Sequence, residues 1–362
     1  MPGVCLLGVT DADFDTFDRV LEEALAAERF TCAVAAVGSS SGEHHRCVLG
    51  VADPERGQQA TGATVFDMAS VTKAVVTTTV VLGLVEDGRI ALTDRVGRHL
   101  PVDGERADLT LKQLLTHTSG LQPYHFQSAW TDLDEARTEI FEESLLATAP
   151  DEQQEYSCLN FVHLAAVAEH VTKTPLPELA AEYVFEPAGM ASARLGTPAD
   201  SAESVAVTRD HEYGRDTVRG AVHDPIGNVM AGRSGNAGLF ATIEDISRFA
   251  QTFLSDALGG TNRLLAPTTI DRLATDATAE GVEPHGLGWR LADGSLPAPT
   301  WSRHAVGHTG YTGTSLWLDL QRDRYCAILT NEVYTGKENS EMPRVRERAH
   351  GAAGAVPGSA FD

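Results

Sequence analysis

Apolar and polar residues alternate along the chain with the periods of both helices and strands. An apolar stripe within residues 11–29, which begins with acidic residues, predicts an amphipathic helix whose charges suit the helix dipole. Residues 31–38 and 45–52 are short apolar runs with a polar turn between them, which predicts a β-hairpin. A long helix is predicted at 70–87, and Gly88 is placed to end it.

The middle of the chain has a mostly helical pattern, and the last third is mostly β-type. The predicted helices of the middle part span 111–116, 134–147, 160–171 and 176–183. Residues 205–240 are rich in glycine, which predicts a loop. The remaining predicted elements are helices at 243–254, 267–274 and 338–350 and strands at 286–291, 316–320 and 325–330.

This order of elements does not alternate between strand and helix, as a parallel Rossmann sheet requires. It predicts an α/β fold of the α+β type, with an antiparallel β-sheet that is flanked by helices and built from both ends of the chain. We expect residues 1–93 and 206–362 to form the sheet domain and residues 94–205 to form an inserted all-helical subdomain. The active site is expected in the cleft between the two.

Composition and charge narrow the classes of function. The 362 residues are 42% hydrophobic and 22% charged, as in ordinary globular proteins. The 28 basic and 51 acidic residues give a formal net charge of −23, which disfavours partners such as nucleic acid and anionic membranes. No run approaches the ~20 apolar residues that cross a bilayer.

The N-terminal segment and the cysteines bear on the compartment. The segment has no basic region, and its apolar stretch is short and interrupted by glycine, unlike a signal peptide. The five cysteines are an odd number without CxxC spacing, so we expect reduced thiols. Both observations predict a cytoplasmic location.

The first motif with chemical meaning is Ser70-Val-Thr-Lys73, at the start of the predicted long helix. Residues three apart share a helix face, so the ammonium of Lys73 reaches the hydroxyl of Ser70. A serine hydroxyl needs an adjacent base, and a lysine can serve if burial and the helix N-terminus lower its pKa. The same spacing also arises by chance, so alone it is a weak signal.

Two further motifs follow along the chain. Tyr156 precedes the helix predicted at 160–171, and a phenol held near a cation can share or relay a proton. The alternative is an ordinary half-buried tyrosine. Gly307-His-Thr-Gly-Tyr311 has glycines that mark close backbone approach and a backbone N–H that could serve an oxyanion. The alternative for His308 is a surface or core histidine.

Together, the three motifs resemble those of the serine β-lactamase and penicillin-binding-protein superfamily. The similarity is to its class C β-lactamase-like branch, which also holds esterases, D-aminopeptidases and acyltransferases and orders its motifs SxxK, YxN, then KTG or HTG. The resemblance covers roughly residues 13–335 and implies an antiparallel sheet with helices and an all-helical subdomain. It is supported by the flanking stretches 114–121, 186–190, 222–224, 237–242 and 329–331.

The resemblance implies a role for each motif residue. Ser70 would be the nucleophile that is acylated, and Lys73 and Tyr156 would form the base network that takes and returns its proton. The backbone N–H groups of Ser70 and Tyr311 would form the oxyanion hole. His308 would orient the substrate or tune the phenol. The chemistry implied needs no metal or organic cofactor.

The chain departs from the family pattern at Cys158, where an asparagine or aspartate is usual. A thiol is a weaker hydrogen-bond partner for Lys73 and for a substrate amide. His308, in place of the KTG lysine, replaces a fixed cation with a mostly neutral imidazole. Both changes argue against β-lactam and peptidoglycan recognition.

These observations predict a cytoplasmic serine hydrolase or acyltransferase that acts on a small-molecule ester or amide through a Ser70 acyl-enzyme. Water, or an amine or alcohol acceptor in small-molecule biosynthesis, could attack that intermediate, so hydrolysis and transacylation both stay open. A β-lactamase or D,D-peptidase is a further alternative. A non-catalytic binding protein that keeps the cleft is the alternative from another class.

The substrate pocket is predicted only in outline. Thr309 and Gly310 of the third motif, together with Cys158, are expected to contact substrate. Tyr124 and Trp289 are expected to form aromatic walls, with Phe126 and Trp130 as further candidates, although core packing explains such residues as well. The histidine pairs 44/45 and 304/308 have no recognisable third ligand, so no metal site is predicted.

Overall fold

The computed structural model describes residues 13–126, 130–197, 204–210, 214–260, 264–292, 296–337 and 340–361. The strands in these residues are β1 (Cys32–Ser39), β2 (Gly42–Asp53), β3 (Gln58–Gln59), β4 (Phe66–Asp67), β5 (Arg194–Leu195), β6 (Thr208–Asp210), β7 (Arg215–Val218), β8 (Leu239–Ala241), β9 (Arg290–Leu291), β10 (Ala305–Thr309), β11 (Ser315–Asp319) and β12 (Arg324–Thr330).

The α-helices are α1 (Asp15–Ala26), α2 (Thr79–Glu86), α3 (Leu111–Leu115), α4 (Leu133–Glu143), α5 (Cys158–Thr172), α6 (Leu176–Ala180), α7 (Glu186–Ala188), α8 (Pro225–Val229), α9 (Ile243–Ala257), α10 (Pro267–Leu273), α11 (Glu332–Thr335) and α12 (Met342–Ala355). Two π-helical segments, Lys73–Thr78 and Ala181–Phe185, precede α2 and follow α6. Short 3₁₀ turns lie at Val96–Arg98, Gly104–Asp108 and Gly358–Ala360.

The main sheet has seven strands in the order β3-β2-β1-β12-β11-β10-β9. Neighbouring strands are antiparallel throughout. The two ends of the chain meet at β1 and β12, where Ala33 pairs with Thr330 and Gly38 with Tyr325. The antiparallel sheet with helices, and its construction from both ends of the chain, are confirmed.

Strand β1 is buried at all eight positions because both faces of the sheet are covered. Side chains alternate between faces along a strand. Val34 and Ala36 join the large core cluster that contains α9, whereas Ala35 and Val37 join the cluster formed by α1 and α12. The sheet is therefore the middle layer between helices.

The helices between residues 94 and 205 contribute to the same large core. Leu114 of α3 and Phe161 of α5 belong to the cluster that also contains Leu316 of β11. The apolar stripe of α5 is broad, with ten consecutive buried residues from Leu159 to Ala168. The domain boundaries at residues 93/94 and 205/206 stay a prediction.

Two predicted regions differ in the structure. The strand expected at 286–291 is reduced to β9, because the chain bends at Gly288 (φ 72°), whose backbone packs against the Thr78 side chain. The loop expected at 205–240 contains the hairpin β6–β7, helix α8 and strand β8. The closing helix expected at 338–350 is α12; residues 338 and 339 lie outside the described residues.

Candidate active site

Ser70 lies on a tight turn between β4 and the π-helical segment. Ala69 has a positive φ of 47°, which strains a residue with a Cβ and aims the chain sharply into the helix. The Asp67 carboxylate stabilises this turn by accepting hydrogen bonds from Ala69 N (2.8 Å) and His223 N (2.7 Å). Burial raises the pKa of Asp67 to about 6.

Lys73 points from the first turn of the helix back toward Ser70 and is fully buried, with 0% of its surface exposed. Its Nζ donates to Ser70 Oγ at 3.0 Å, to Asn236 O at 2.8 Å and to Cys158 Sγ at 3.5 Å. These contacts confirm that the ammonium reaches the hydroxyl. They satisfy all three ammonium donors with groups from three parts of the chain.

The electrostatics of Lys73 differ from the sequence expectation. Burial is the largest influence on its pKa and lowers it, but Cys158, Tyr156 and Asp224 together outweigh burial, so that the pKa lies above its ordinary value. Lys73 is therefore an ammonium near neutral pH. The pKa of the Tyr156 phenol is also raised, since burial outweighs the lowering effect of Lys73.

Tyr156 immediately precedes the N-cap of α5, where Ser157 Oγ accepts from Leu159 N. Lys73 Nζ lies 5.0 Å from the centre of the Tyr156 ring. Hydrogen bonding to Lys73 and Ser70 also acts on the pKa of the Tyr156 phenol. Tyr156 as a residue is 41% exposed. The structure thus places Tyr156 opposite Ser70 and Lys73, as predicted.

The ring of His117 packs against the ring of Tyr156. The sequence analysis did not identify His117 as a site residue. The two ring centres are 4.7 Å apart, and the Nδ1 of His117 accepts hydrogen bonds from Ser157 N (3.0 Å) and Asn160 Nδ2 (3.1 Å). Burial lowers the pKa of His117 well below its usual value, so the ring is neutral. The only signal for this role was the flanking stretch 114–121.

Cys158 is the first residue of α5 and lines the same cavity as Ser70. Burial, more than the opposing influence of Lys73, raises the pKa of its thiol. The side chain is thus a neutral thiol that accepts from Lys73, which agrees with its expected place beside the lysine. Cys32, Cys47 and Cys326 are free and buried, and Cys5 lies outside the described residues.

His308 lies in β10 with its ring centre 6.1 Å from that of Tyr156. Its Nδ1 donates to Thr309 O at 2.9 Å. Burial, followed by the nearby Lys73, lowers its pKa well below the usual value. The imidazole is therefore neutral, and this motif supplies no fixed cation.

The backbone after β10 approaches the nucleophile turn closely. Thr312 Oγ1 donates to Asp67 O (2.7 Å), and Thr314 Oγ1 donates to Met68 O (3.0 Å). A Cβ on Gly310 would lie 2.6 Å from Met68 O and would collide with the Thr314 hydroxyl, so glycine is required here. The arrangement suits an oxyanion hole at Ser70 and Tyr311, which stays a prediction.

A cavity of about 880 Å³ opens in front of Ser70. Tyr124 lines it as predicted and donates its hydroxyl to Asp224 Oδ2 at 3.3 Å. The residues that line the cavity are Ala69, Ser70, Tyr124, Tyr156, Cys158, Arg209, Asp210, His223, Asp224, Pro225, Ala237, Tyr311, Val333, Thr335, Gly336 and Lys337. Thr309 and Gly310 lie at the end of β10, beside this cavity rather than in its lining.

The prediction that Trp289 forms a wall of the pocket is wrong. Its side chain is 0% exposed and packs 5.4 Å from Phe253 and 6.3 Å from Phe249, between ring centres. Trp130 is likewise buried and donates Nε1 to Glu139 Oε2 at 2.6 Å. Large aromatic side chains gain most by full burial, and the sequence alone does not distinguish a tryptophan in the core from one that lines a pocket.

Asn236 and Asp224 complete the site although neither was predicted. Asn236 O accepts from Lys73, and its Nδ2 donates to Asp224 Oδ1 at 3.2 Å. Thr77 Oγ1 donates a hydrogen bond to the neighbouring carbonyl oxygen of Gly235 at 2.7 Å. The sequence signals for these two residues were weak: Asp224 ends the family-like stretch 222–224, and Asn236 directly precedes the family-like stretch 237–242.

Three of the four histidines considered for metal binding, namely His44, His45 and His308, have side-chain hydrogen bonds to protein groups. His44 Nε2 bonds to Ser39 Oγ (2.9 Å), and His45 Nε2 bonds to Asp18 Oδ1 (2.7 Å). A group with potential ligand atoms within 4.8 Å of one another lies elsewhere, at His125, Glu139 and Glu143. None of its residues lines the Ser70 cavity. Within the described ranges, no helix is long and apolar enough to span a membrane.

Comparisons with known proteins identify the family of the chain and its fold. The sequence model of the Beta-lactamase family matches residues 17–350. Esterase EstB from Burkholderia gladioli is 29% identical over 88% of this chain and 90% of its own length. A putative D-alanyl-D-alanine carboxypeptidase from Escherichia coli (strain K12) is 26% identical over 78% of this chain and 72% of its own.

A solved structure shows the same fold. EstCE1, described as a hydrolase with promiscuous acyltransferase activity, superposes with a TM-score of 0.72 at 20% identity. The superposition covers 95% of this chain and all of that one. At this identity the likeness concerns the fold alone.

Proposed function

The chain belongs to the beta-lactamase family, and we propose that it is a serine hydrolase or acyltransferase that acts on an ester or amide through an acyl-enzyme on Ser70. The observation that carries the proposal is the 3.0 Å contact between Lys73 Nζ and Ser70 Oγ on the wall of an 880 Å³ cavity. A nucleophile next to a proton-transferring pair, open to a substrate-sized cavity, is the arrangement that covalent catalysis needs.

In the proposed first half-reaction, Ser70 Oγ attacks the substrate carbonyl, and its proton passes to the pair Lys73 and Tyr156. Before this step, either the Lys73 ammonium or the Tyr156 phenol must have lost a proton, so that the pair can accept the one from Ser70. The proton then moves to the leaving group as the carbonyl–heteroatom bond breaks. The backbone N–H groups of Ser70 and Tyr311 would donate to the oxyanion that forms meanwhile.

Hydrolysis of an ester is the activity that we favour. EstB, an esterase, is similar over nearly its whole length. The thiol of Cys158 and the neutral ring of His308 offer little to a β-lactam amide or its carboxylate at the usual positions. Transacylation to an amine or alcohol stays the alternative, and β-lactam or D,D-peptide cleavage is a less favoured one. The cytoplasmic location stays a prediction.

The test combines a label with turnover. A fluorophosphonate probe should add to the peptide containing Ser70, and p-nitrophenyl butyrate should be hydrolysed. Ser70→Ala should lose both, whereas Ser41→Ala, at an exposed serine of the β1–β2 turn, should keep both. Adding amines or alcohols to the assay separates transfer from hydrolysis, and nitrocefin reports β-lactam cleavage. Labelling of Cys158, or unchanged turnover in Ser70→Ala, would overturn the proposal.

A further inference from the structure

Two cations line the Ser70 cavity, although the protein as a whole is strongly acidic. We propose that Lys337, supported by Arg209, forms an anion subsite that receives a carboxylate on the substrate. The substrate class would then be a carboxylate-bearing ester or amide. This inference rests on the proposed acyl-enzyme function and adds the group by which the substrate is recognised.

Lys337 is held in place without being neutralised fully. Its Nζ lies 3.8 Å from the centre of the Tyr311 ring and 3.4 Å from Glu332 Oε2. An ammonium has three N–H donors, and one long ion pair uses at most one of them. The side chain keeps 28% of its surface exposed, so it can donate into the cavity.

The charge of Glu332 is shared with other groups. Its carboxylate accepts from the Ser340 hydroxyl and also faces the buried guanidinium of Arg346. Two cations therefore face one buried anion. Burial lowers the pKa of Lys337, and the neighbouring Glu332 carboxylate acts in the opposite direction.

Arg209, the second cation in the lining of the cavity, is also held against an aromatic ring. Its guanidinium lies 4.3 Å from the centre of the Tyr334 ring, and its Nε donates to Asp216 O at 2.9 Å. Aromatic faces and carbonyl oxygens orient a cation without giving it a counter-charge. Both cations that line the cavity thus retain positive charge for a ligand.

The carboxylates of the cavity are already engaged. Asp210 pairs with Arg215 at 2.6 Å. Asp224 accepts from Gly227 N, Asn236 Nδ2 and the Tyr124 hydroxyl. Asp210 therefore has a counter-charge within the protein, and three protein donors already occupy the carboxylate oxygens of Asp224. Lys337 and Arg209 are the lining groups that a substrate carboxylate would contact.

The position of Lys337 also limits where the anion lies in the substrate. Tyr311 would donate its backbone N–H to the reacting carbonyl, and its own ring carries Lys337. The carboxylate should lie within about one side chain's length of the scissile carbonyl. His308 is neutral, so the cation comes from a segment far from the third motif.

The test compares matched substrates. Mono-(4-nitrophenyl) glutarate carries a carboxylate in the acyl part and 4-acetoxybenzoate carries one in the leaving group; p-nitrophenyl butyrate and phenyl acetate are their neutral partners. We expect kcat/KM to favour one anionic ester over its neutral partner about tenfold or more. Lys337→Gln should remove this preference and leave the neutral ester almost unchanged. Lys337→Arg should keep it.

The matched control is Lys112→Gln, which removes the same charge from an exposed position on α3. Equal losses for charged and neutral esters in Lys337→Gln would overturn the subsite, as would the absence of any anionic preference in the wild type. Calorimetric binding of monomethyl glutarate and of benzoate to Ser70→Ala and Ser70→Ala/Lys337→Gln supplies a readout without turnover. If neither acid loses about tenfold in affinity through the second change, the subsite fails even where the proposed catalysis holds.

Discussion

Lys73 Nζ lies 3.0 Å from Ser70 Oγ and, at the same time, 2.8 Å from the backbone carbonyl of Asn236, which is 163 positions further along the chain. The first contact is local and follows from the i, i+3 spacing. The second comes from the loop before β8 and fixes the ammonium so that it cannot turn away from the serine. The reactivity of Ser70 therefore depends on a distant backbone group as well as on its neighbour.

Lys73→Met should lower kcat/KM for a neutral p-nitrophenyl ester by about 10²–10⁴-fold, because the apolar chain cannot carry or accept a proton. Circular dichroism should show a folded protein, and Lys112→Met, at an exposed helix position, should be unaffected. A recovery of Lys73→Met to near the wild-type rate at high pH would show that hydroxide or Tyr156 suffices without the lysine.

The activity on neutral esters should rise with pH above 7. The pKa values of both Lys73 and Tyr156 lie above their ordinary values, so the pair begins to lose its first proton only in alkaline solution. A profile of kcat/KM from pH 5 to 10 measures this, and Tyr156→Phe should remove or displace the alkaline limb. A plateau that is already complete below pH 7 would contradict the proposed role of the pair.

Cys158→Asn should keep the turnover of a p-nitrophenyl ester within about tenfold, because the asparagine amide can replace the thiol as acceptor for Lys73. The change restores the usual family residue and should also improve the slow reaction with nitrocefin. Steady-state kcat/KM for both substrates decides it. A loss beyond about a hundredfold, or ~2.7 kcal/mol of transition-state stabilisation, would make Cys158 part of the catalytic machinery.

Gly310→Ala should lower kcat/KM by about a hundredfold or more, because its Cβ would push β10 away from the Met68 carbonyl and displace the oxyanion donors. Gly281→Ala is a useful control for folding, since no atom lies within 4 Å of its Cβ position. Gly281 has a positive φ, so this control is expected to lose some stability but little activity. Normal turnover in Gly310→Ala would show that this backbone approach is not needed.

Acid should destabilise the fold partly through buried histidines. Burial lowers the pKa of His163 to about 4, where its Nδ1 donates to Leu159 O at 2.8 Å. Between this pKa and the unfolded value of ~6.5, the unfolded chain binds the extra proton. The free energy of unfolding therefore falls by about 1.4 kcal/mol per pH unit for this residue as pH drops from 6.5 to 4.

Urea unfolding at several pH values measures the effect, with His163→Gln as the variant that cannot titrate. Its unfolding free energy should fall less steeply in this window than that of the wild type. His285 and His223, whose pKa values are likewise lowered to about 4, will keep part of the slope. Identical slopes in the two proteins would mean that His163 is not a buried neutral base.

The sequence by itself determined the local elements and the order of the chemical residues. Periodicity located the hairpin β1–β2 and helices such as α5 and α9, because burial of one face imposes its period on the chain. The spacing of Ser70 and Lys73 predicted their contact, because residues three apart lie on the same face of a helix. Tyr156 and His308 were recognised by their motifs, and the structure brings both to Lys73.

Only the tertiary structure decided which distant groups meet. Asn236 reaches Lys73, and Lys337 reaches the Tyr311 ring, through folding of segments whose local sequence carries no sign of that partner. Trp289 is a residue type that is common in the walls of binding pockets, but its side chain lies in the core. Local periods specify which face of an element is apolar, whereas the packing of elements decides what that face contacts and which charges remain uncompensated.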